Sequence, residues 1–520
     1  MALAACTAHE TSENAATGQL FARGIEQITD LYIQPISGQT LVFVAAKNLA
    51  KLDGRLAASY GGDGAERDHV TLTYDGIAIT NYHVPPDIDG HDGGAIVAEL
   101  IAAAKKASGR IAALPEETID RAAFDGMTGV LDRFSRYAPP DEARDQRAAR
   151  DGFGGIGVTL ETATNDFSIT EVSAQSPAAR AGIRIGDKIV AIDGTPVAGR
   201  RAIDIVHLLR GPIGSTVALT IERPGVTGTR DFRVERALVI VPTVTASRDG
   251  NIVVFRIASF NQSTTQRVTD GIAEAQHQAN GHLAGIVLDL RGDPGGLLDQ
   301  AVTLSDLFIT KGPIIATTGR HPASHQYFAA TGHGIAPTTP LVVLINGGSA
   351  SASEIVAAAL QDVGRAVVIG SSSYGKGTVQ TVMHLPNDGE LTLTWARLVT
   401  PSGYFLQEHG VVPTLCTSGL TDTDSSVDAT LRRIADPPAE AARPRASLDD
   451  AAWSVLRKTC PTQQGSPALD LKIAERVLSD PSRYSAALGA IHPAGVSALA
   501  PQTPPAALTP VGGGLSSSSQ

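Results

Sequence analysis

A lysine flanked by glycines is the first group in this sequence that could do chemistry. The segment GSSSYGKGTVQ, residues 370–380, holds Gly370, Gly375 and Lys376 at the spacing of a phosphate-binding loop. Such a loop also needs Ser or Thr directly after its lysine, and a helix whose N-terminus faces the phosphates. Gly377 follows Lys376 instead, and the next segment, TVQTVMHLPNDGELTLTWARL, has the composition of a β-hairpin. The lysine is therefore better suited to act as a base than to hold a phosphate.

A serine at a helix start is the matching candidate for a nucleophile. In GGSASASEIVAAALQ, residues 347–361, three alternating serines precede a helix-like run. A hydroxyl at such a turn lies beside the free N–H groups and positive end of the helix, which suits an oxyanion. A serine needs a base to take its proton, and a lysine does so only where burial favours its neutral amine. Ser351-x-x-Glu354 is also a capping box, and on this segment alone a plain helix cap is the favoured interpretation.

Charge and hydropathy exclude several classes of function. The 520 residues include 42 basic and 53 acidic side chains, a net charge of −11. With no dense Lys/Arg block, this balance argues against nucleic acid or an anionic membrane surface as a partner. No run approaches the ~18 apolar residues of a spanning helix. The cluster of Asp87, Asp89, His91 and Asp92 lacks the pattern of a calcium loop, so we interpret it as a solvated loop and expect no metal and no cofactor.

The cysteines bear on the cellular compartment. Cys416 and Cys460 are too few and too far apart for a zinc site. They form one disulfide if the protein is exported, or stay free thiols, and the sequence leaves both alternatives open. The start, MALAAC, is similar to the end of a bacterial lipoprotein signal. One hypothesis is an upstream start and a lipidated Cys6, which gives membrane attachment through that lipid alone and a periplasmic or cell-envelope location. An ordinary alanine-rich N-terminus is the alternative.

Hydrophobic periodicity divides the chain into regions. Apolar spacing predicts helix over residues 13–56, and further helices around 427–434 and 471–478. Residues 57–115 mix short β-like runs with a helix-like run, and their role is open. From residue 251 to 370, near-continuous apolar strands alternate with helices, which indicates a parallel sheet covered on both faces. Ligands of such sheets gather beyond the carboxyl ends of the strands, where the turns DLRGDPGG and INGGSASASE lie.

Residues 153–234 resemble a PDZ domain. Alternating strands, turn glycines, a helix start at Ser176-Pro177 and the amphipathic run RAIDIVHLLRG carry the resemblance. It implies that the loop Gly155-Ile156-Gly157-Val158 holds the terminal carboxylate of a peptide through its backbone N–H groups. Such domains add the peptide as an extra strand at an open sheet edge. A spacer that binds nothing is the alternative.

Three motifs resemble the signature segments of the carboxy-terminal processing peptidases, serine endopeptidases with a PDZ domain inserted in the protease region. They are GIVLDLRGDPGGLL, LINGGSASASEIVAAALQD and GRAVVIGSSSYGKGTVQ, within a resemblance that covers residues 124–413. The resemblance implies Ser351 as the nucleophile, Lys376 as the general base and Gln380 as the residue that orients the amine. On a strand, the even spacing would place Lys376 and Gln380 on the same face.

The resemblance also implies two donors for the oxyanion. They are the N–H of Ala352 and one N–H from the pair Gly295 and Gly296, and which glycine contributes is left open. Asp289 and Arg291 are interpreted as a structural pair that holds the turn. Family members more often have Asn-Asn where this chain has Gly292-Asp293. This departure affects the geometry of the turn.

Other residues were weighed for the same roles. Ser349 and Ser353 are alternative nucleophiles, but neither falls on the family position. A histidine-based mechanism would need a positioned His and an acid. The candidates, His384 and His409, match no motif, and we expect both on the surface.

The sequence predicts an α/β protease core, a crotonase/ClpP-like parallel sheet with helices, with an inserted β-rich PDZ domain and helical terminal regions. The expected function is that of an ATP-independent serine endopeptidase, and the resemblance implies that it cuts proteins near their C-termini and binds protein or peptide substrates through those ends. A catalytically silent PDZ scaffold on a protease fold is the alternative, and the oligomeric state is left open. The expected regions are an N-terminal helical region with an unassigned insertion (11–116), the start of the protease core (117–150), the PDZ domain (151–236), the protease core with the catalytic residues (237–416), a C-terminal helical extension (417–490) and a disordered tail (491–520).

Overall fold

The computed structural model describes residues 2–61, 68–163, 166–435 and 445–489. The expected tail at 491–520 lies outside the described residues, and so does the side chain of Cys6, although its backbone belongs to the first helix. Across the described ranges, no helix is long and apolar enough to cross a bilayer.

An N-terminal region of helices and one small antiparallel sheet supports the edge of the protease core. The helix expected over 13–56 is two helices, and the β-like runs after it form three paired strands. Phe124 stacks on Phe21 at 4.9 Å and on Tyr137 at 4.3 Å between ring centroids, so this region is packed onto the strand that contains Arg136. The elements are α1 (Ala2–Leu31), α2 (Gly38–Leu49), β1 (Leu56–Tyr60), β2 (His69–Tyr74), β3 (Ile77–His83), α3 (Gly90–Ala107), α4 (Gly109–Ala112), α5 (Glu116–Thr128) and β4 (Arg136–Ala138).

A β-rich module follows one more helix, and its last strand lies beside its first strand. Its elements are α6 (Pro140–Asp151), β5 (Phe153–Gly155), β6 (Val158–Ala163), β7 (Asp166–Val172), α7 (Pro177–Ala181), β8 (Lys188–Ile192), β9 (Thr195–Pro196), α8 (Ala202–Leu209), β10 (Thr216–Glu222), β11 (Thr229–Glu235) and β12 (Ala237–Val239). The entry strand β5 and the exit strand β12 pair antiparallel. The sheet order β11-β10-β8-β7-β6 leaves β6 at the edge. Ser176 caps α7 by accepting a hydrogen bond from Ala179 N–H, as its position before Pro177 predicts.

The protease core is built on a mostly parallel sheet. Strands β14, β15, β18, β19 and β22 run parallel in that order, with β13 antiparallel at one edge. All five residues of β15 and of β18 are buried, which explains why their sequences are apolar except for Asp289 at the end of β15. The elements are β13 (Val244–Asp249), β14 (Ile252–Ile257), α9 (Thr264–Gln278), β15 (Gly285–Asp289), α10 (Leu298–Asp306), β16 (Pro313–Thr318), β17 (Gln326–Ala329), β18 (Leu341–Ile345), α11 (Ala352–Asp362), β19 (Val367–Gly370), β20 (Thr378–His384), β21 (Glu390–Val399) and β22 (Leu415–Cys416).

Helices cover both faces of this sheet. On one face, Val343 of β18 belongs to the same buried cluster as Val356 of α11. On the other face, Val342 and Leu344 share a cluster with Ile473 from the C-terminal extension. That extension comprises α12 (Asp424–Arg432), α13 (Asp450–Thr459), α14 (Pro467–Leu478) and α15 (Pro481–Gly489). Its helices therefore complete the core of the protease.

A disulfide ties the extension to the sheet. Cys416, at the end of β22, is bonded to Cys460, the residue after α13. Of the two alternatives that the sequence left open, the structure has the bonded pair. The sequence did not predict α13, the helix that precedes Cys460. The close approach of the two cysteines could therefore not be predicted from their separation in the sequence.

A second sheet, with the order β17-β16-β21-β20, has β4 paired to β21. Its β20–β21 pair is the predicted hairpin, with Asp388 of the turn at φ +63°. The expectation that Lys376 and Gln380 share a strand is wrong. Strand β20 begins at Thr378, so Lys376 lies in the preceding loop, and a bulge between Val379 and Gln380 interrupts the side-chain alternation.

Candidate active site

One cavity of about 440 Å³ brings together the residues that the sequence singled out for chemistry. Ser351 and Ala352 come from the start of α11, Gly295 and Gly296 from the turn after β15, and Lys376 and Gln380 from the loop and strand after β19. The cavity therefore lies where the strands β15 and β18 end, as expected for a parallel sheet. Its remaining wall is mostly apolar and includes Leu297, Ile355, Val379, Val382 and Leu398.

Ser351 has an unusual backbone conformation. Its φ is +54° and its ψ −112°, a region that residues other than glycine seldom adopt and that costs about 1–3 kcal/mol. Hydrogen bonds on both sides hold it there. Ala350 N–H donates to the Asp293 carbonyl at 2.9 Å, and Ser351 N–H donates to Glu354 Oε2 at 2.8 Å. The capping pattern seen in the sequence is thus part of the device that fixes this turn.

The two neighbouring serines have structural bonds. Ser349 and Ser353 are fully buried. Ser349 Oγ donates to the Leu290 carbonyl at 2.8 Å, and Ser353 Oγ donates to the Asp293 carbonyl at 3.0 Å. Of the three alternating serines, Ser351 is the one that lines the cavity.

Glu354 connects the serine turn to the lysine loop. Its carboxylate is fully buried and accepts four hydrogen bonds, from Ser351 N–H (2.8 Å), Ser373 Oγ (2.5 Å), Gly375 N–H (2.6 Å) and Lys376 N–H (2.9 Å). Burial raises the pKa of Glu354, and these donors oppose that rise. Sequence analysis recognised Glu354 only as part of a helix cap, because its contacts with residues 373–376 are tertiary.

Lys376 is half-buried beside an aromatic ring. Its Nζ lies 5.0 Å from the centroid of the Phe134 ring. Burial lowers the pKa of Lys376, and the positive charge of Arg136 adds to this effect, whereas the Glu354 and Asp132 carboxylates oppose it. The surroundings thus shift the equilibrium toward the neutral amine, the form that can take a proton, relative to a lysine in water. Neither Phe134 nor Arg136 was identified from the sequence, since they come from the loop before β4 and from β4 itself.

Within the described part of the chain, no hydrogen bond joins Ser351 Oγ to Lys376 Nζ. Both residues line the same cavity, and catalytic hydrogen bonds in unliganded enzymes are often long and tighten when substrate binds.

Gln380 is held by two threonines on its own sheet. Its Nε2 donates to Thr378 Oγ1 at 3.0 Å and to Thr394 Oγ1 at 3.2 Å. These bonds use both amide N–H groups, so the carbonyl oxygen Oε1 is the atom that can accept a hydrogen bond from an amine.

The glycine turn packs against the serine turn. Gly295 has φ +99°, and a Cβ there would lie 2.9 Å from both Ser351 Cβ and Ala352 N, so a side chain at this position would collide with the serine turn. The N–H of Gly295 already donates to Asp293 Oδ1 at 2.8 Å. Among the described residues, the N–H of Gly296 donates to no protein acceptor, so within the glycine pair only Gly295 N–H is already bonded. The sequence alone left the choice between the two glycines open.

Comparison with known proteins identifies two modules in this chain. The family model of peptidase family S41 matches residues 251–416, and a PDZ domain model matches residues 168–223. A carboxy-terminal-processing protease of Bartonella bacilliformis is 41% identical over 293 residues, covering 56% of this chain and 68% of that protein. The chain belongs to the carboxy-terminal processing protease family. A second relative, the carboxy-terminal processing protease CtpA of Bacillus subtilis, is 36% identical, and the chain spans 62% of its length.

A solved structure, the photosystem II D1 C-terminal processing protease, is 30% identical to this chain. The match covers 57% of this chain and 80% of that one, with a TM-score of 0.34.

The paired residues of the family motif DLRGDPGG are structural. Arg291 donates to both oxygens of Asp289, at 2.8 and 2.7 Å, and its Nη1 donates to Asp470 Oδ2 at 2.9 Å. All three side chains are buried. This network fastens the end of β15 to α14, which agrees with the interpretation of Asp289 and Arg291 as a pair that holds the turn.

The two histidines weighed for a histidine-based mechanism lie away from the cavity. The His384 side chain is 69% exposed. His409 is half-buried rather than a surface residue as expected, because its ring stacks on Trp453 at 4.8 Å. Neither ring lines the cavity that contains Ser351.

The family's second module, the PDZ domain, has its predicted carboxylate loop at the start of the edge strand. Gly155 ends β5, Ile156 is buried, and Val158 begins β6. Gly157 has φ +76°, and a Cβ there would lie 2.5 Å from Ser176 Cβ, so the turn requires glycine. Because β6 is the edge strand, a peptide can pair with it.

Asp89 of the acidic cluster near α3 caps that helix, with Oδ1 accepting from Asp92 N–H at 2.8 Å. In the described ranges, no group of three or more His, Cys, Asp or Glu side chains is arranged to hold a metal ion.

Proposed function

We propose that this protein is an ATP-independent serine endopeptidase that uses a Ser351–Lys376 pair assisted by Gln380. The observation that carries the proposal is that these three side chains line one cavity, together with Ala352 and the glycine turn. The lowered pKa of Lys376 supports its role as the base, because only the neutral amine accepts a proton.

In the first half of the reaction, Ser351 Oγ attacks the carbonyl carbon of the scissile peptide and gives its proton to Lys376 Nζ. The carbonyl oxygen becomes an oxyanion, which the N–H groups of Ala352 and Gly296 stabilise. One such donor is worth about 2.7–4 kcal/mol in a comparable enzyme. The C–N bond then breaks, and the leaving amine takes the proton from Nζ. Gln380 Oε1 accepts from the amine and keeps it oriented throughout.

In the second half, a water molecule attacks the acyl ester. Lys376 takes one proton from the water, and the C–Oγ bond breaks as that proton passes to Ser351. The product acid leaves, and the neutral lysine is restored.

We further propose that the PDZ domain recognises the C-terminus of the substrate, so that cleavage occurs near that end. The open edge of β6 and the loop 155–158 support this role, since β-addition supplies main-chain hydrogen bonds and the loop supplies N–H groups. The parallel sheet with helices on both faces supports the crotonase/ClpP-like assignment of the core.

A periplasmic or cell-envelope location is part of the same proposal. The bonded pair Cys416–Cys460 supports it, because disulfides persist in oxidising compartments. Lipidation of Cys6 is tested by intact-mass analysis of the native protein. An acylated N-terminal cysteine is expected, and an unmodified Met1 would contradict it.

The decisive experiment compares cleavage of a peptide by the wild type, Ser351→Ala and Lys376→Ala. We expect both variants to lose at least ~10⁴-fold in kcat, as residues that act as one unit do. Ser349→Ala is the matched control. It changes a serine of the same turn but leaves Ser351, Lys376 and Gln380 in place. Full activity of Ser351→Ala or Lys376→Ala would refute the assignment. A folded wild type that binds peptides and cleaves none would favour the silent PDZ scaffold.

A further inference from the structure

Asp293 is a fully buried carboxyl group beside the glycine turn. Its Oδ1 accepts a hydrogen bond from Gly295 N–H at 2.8 Å, and its Oδ2 is buried without a partner. Its carbonyl oxygen accepts from Ala350 N–H at 2.9 Å and from Ser353 Oγ at 3.0 Å. Asp293 therefore contacts both turns that hold the proposed oxyanion donors.

The groups around this carboxyl do not neutralise it. From β14, Arg256 is the charged side chain that acts on Asp293, but its Nη1 is paired with Asp289 at 3.2 Å and its side chain is 47% exposed. From α11, Ser353 contributes a hydroxyl, while Glu354 is bonded to the loop 373–376 instead. Burial raises the pKa of Asp293 to about 7, against the lowering effects of the Gly295 hydrogen bond, Ser353 and Arg256.

The two protonation states of Asp293 have different consequences for the reaction. With a proton on Oδ2, the Oδ1 oxygen still accepts from Gly295 N–H, so the group resembles the amide of an Asn side chain. Without the proton, Asp293 carries a negative charge on the side chain that is bonded to Gly295 N–H, next to Gly296, the proposed oxyanion donor. In a buried site, such a charge repels the developing oxyanion, which raises the barrier.

We propose that Asp293 is a positioning residue that holds the Gly295-Gly296 turn as a neutral carboxylic acid, and that its ionisation slows peptide cleavage; this inference rests on the proposed peptidase function. The rate then depends on two groups with opposite demands. Lys376 must lose its proton, whereas Asp293 must keep one, so activity rises and then falls as the pH increases.

The test is the pH profile of kcat/KM for one short peptide, measured with the wild type, Asp293→Asn and Asp299→Asn. Asn keeps the acceptor for Gly295 N–H and cannot ionise. We expect Asp293→Asn to match the wild type below pH ~6 and to exceed it by roughly tenfold or more at pH ~9, where the wild type has lost the proton. Asp299 is exposed at the start of α10, and its Asn variant should follow the wild type at every pH.

A second measurement, the pH dependence of thermal stability, reports the protonation of Asp293 independently of catalysis. The raised pKa of Asp293 means that the folded state holds this proton between pH ~4 and ~7 while the unfolded state has lost it. The wild type therefore loses stability as the pH rises through that window, and Asp293→Asn does not. We expect the difference in Tm between Asp293→Asn and the wild type to grow from pH ~4 to ~7 and then stay constant.

The outcomes separate the two proposals. A wild type that cleaves no peptide at any pH would overturn the proposed function. An active wild type whose alkaline fall persists unchanged in Asp293→Asn, or a Tm difference that does not vary with pH, would overturn the role of Asp293 alone.

Discussion

The backbone N–H of Lys376 donates to Glu354 Oε2 at 2.9 Å, and the same oxygen accepts from Ser351 N–H at 2.8 Å. One carboxylate oxygen therefore fixes the backbones of both members of the proposed catalytic pair. The distance between nucleophile and base is set by this shared partner as much as by their own side chains.

Glu354→Gln should disrupt that arrangement. An amide presents N–H donors where the carboxylate accepted hydrogen bonds, so at least one donor among Ser373, Gly375 and Lys376 loses its partner inside a buried site. We expect kcat to fall by at least ~100-fold and Tm to fall with it. Kinetics and thermal unfolding measure the two effects, with Glu117→Gln on the exposed face of α5 as the control. Wild-type kcat in Glu354→Gln would show that the shared carboxylate is dispensable.

Arg136→Gln should change the pH dependence of the reaction. The Arg136 charge lowers the pKa of Lys376, so its removal raises that pKa and leaves less neutral amine at a given pH. We expect the acidic limb of the kcat/KM profile to move to higher pH. Arg133→Gln is the matched control, because Arg133 acts on the lysine in the same direction with a smaller effect. An acidic limb that stays in place in Arg136→Gln would contradict the assigned role of its charge.

Loss of the disulfide should destabilise the core and the lysine loop together. The bond closes a loop of 44 residues. Ser372, which lies four residues before Lys376 in the sequence, donates from its Oγ to the Cys460 carbonyl at 2.6 Å. We expect the double substitution of Cys416 and Cys460 by Ala to lower the free energy of unfolding by about 4 kcal/mol. Denaturant unfolding measures this loss. Reductant should bring the wild type to the same value and leave the variant unchanged; a wild type indifferent to reductant would refute the prediction.

Gly157→Ala should weaken peptide binding by the PDZ domain. The added Cβ meets Ser176 Cβ at 2.5 Å in a backbone region that alanine avoids, so the carboxylate loop must shift. We expect roughly tenfold weaker binding of a peptide with a free C-terminus, measured by fluorescence anisotropy. Gly228→Ala has a similar positive φ in open space within the same domain and should retain the affinity. Equal affinity of wild type and Gly157→Ala would place the carboxylate elsewhere.

Local patterns in the sequence predicted the helices and strands of this site, but they did not predict the tertiary contacts between them. The apolar runs of β15 and β18 and the helix after Ser351 follow from periodicity, because each is decided by neighbours along the chain. The partners of Glu354 and the ring beside Lys376 come from distant segments, so no spacing rule reports them. The position of Lys376 in a loop has the same cause, since its backbone N–H donates to Glu354 Oε2 from a distant segment and the strand begins only at Thr378.

The pairing of β5 with β12 places the two ends of the PDZ domain side by side, in a two-stranded stem. A different peptide-binding domain whose ends are equally close could be exchanged at this stem without cutting a strand of the parallel sheet. On the proposed function, substrate binding and peptide cleavage would then lie in separate parts of the molecule, and a change of substrate would not require a change in the protease core.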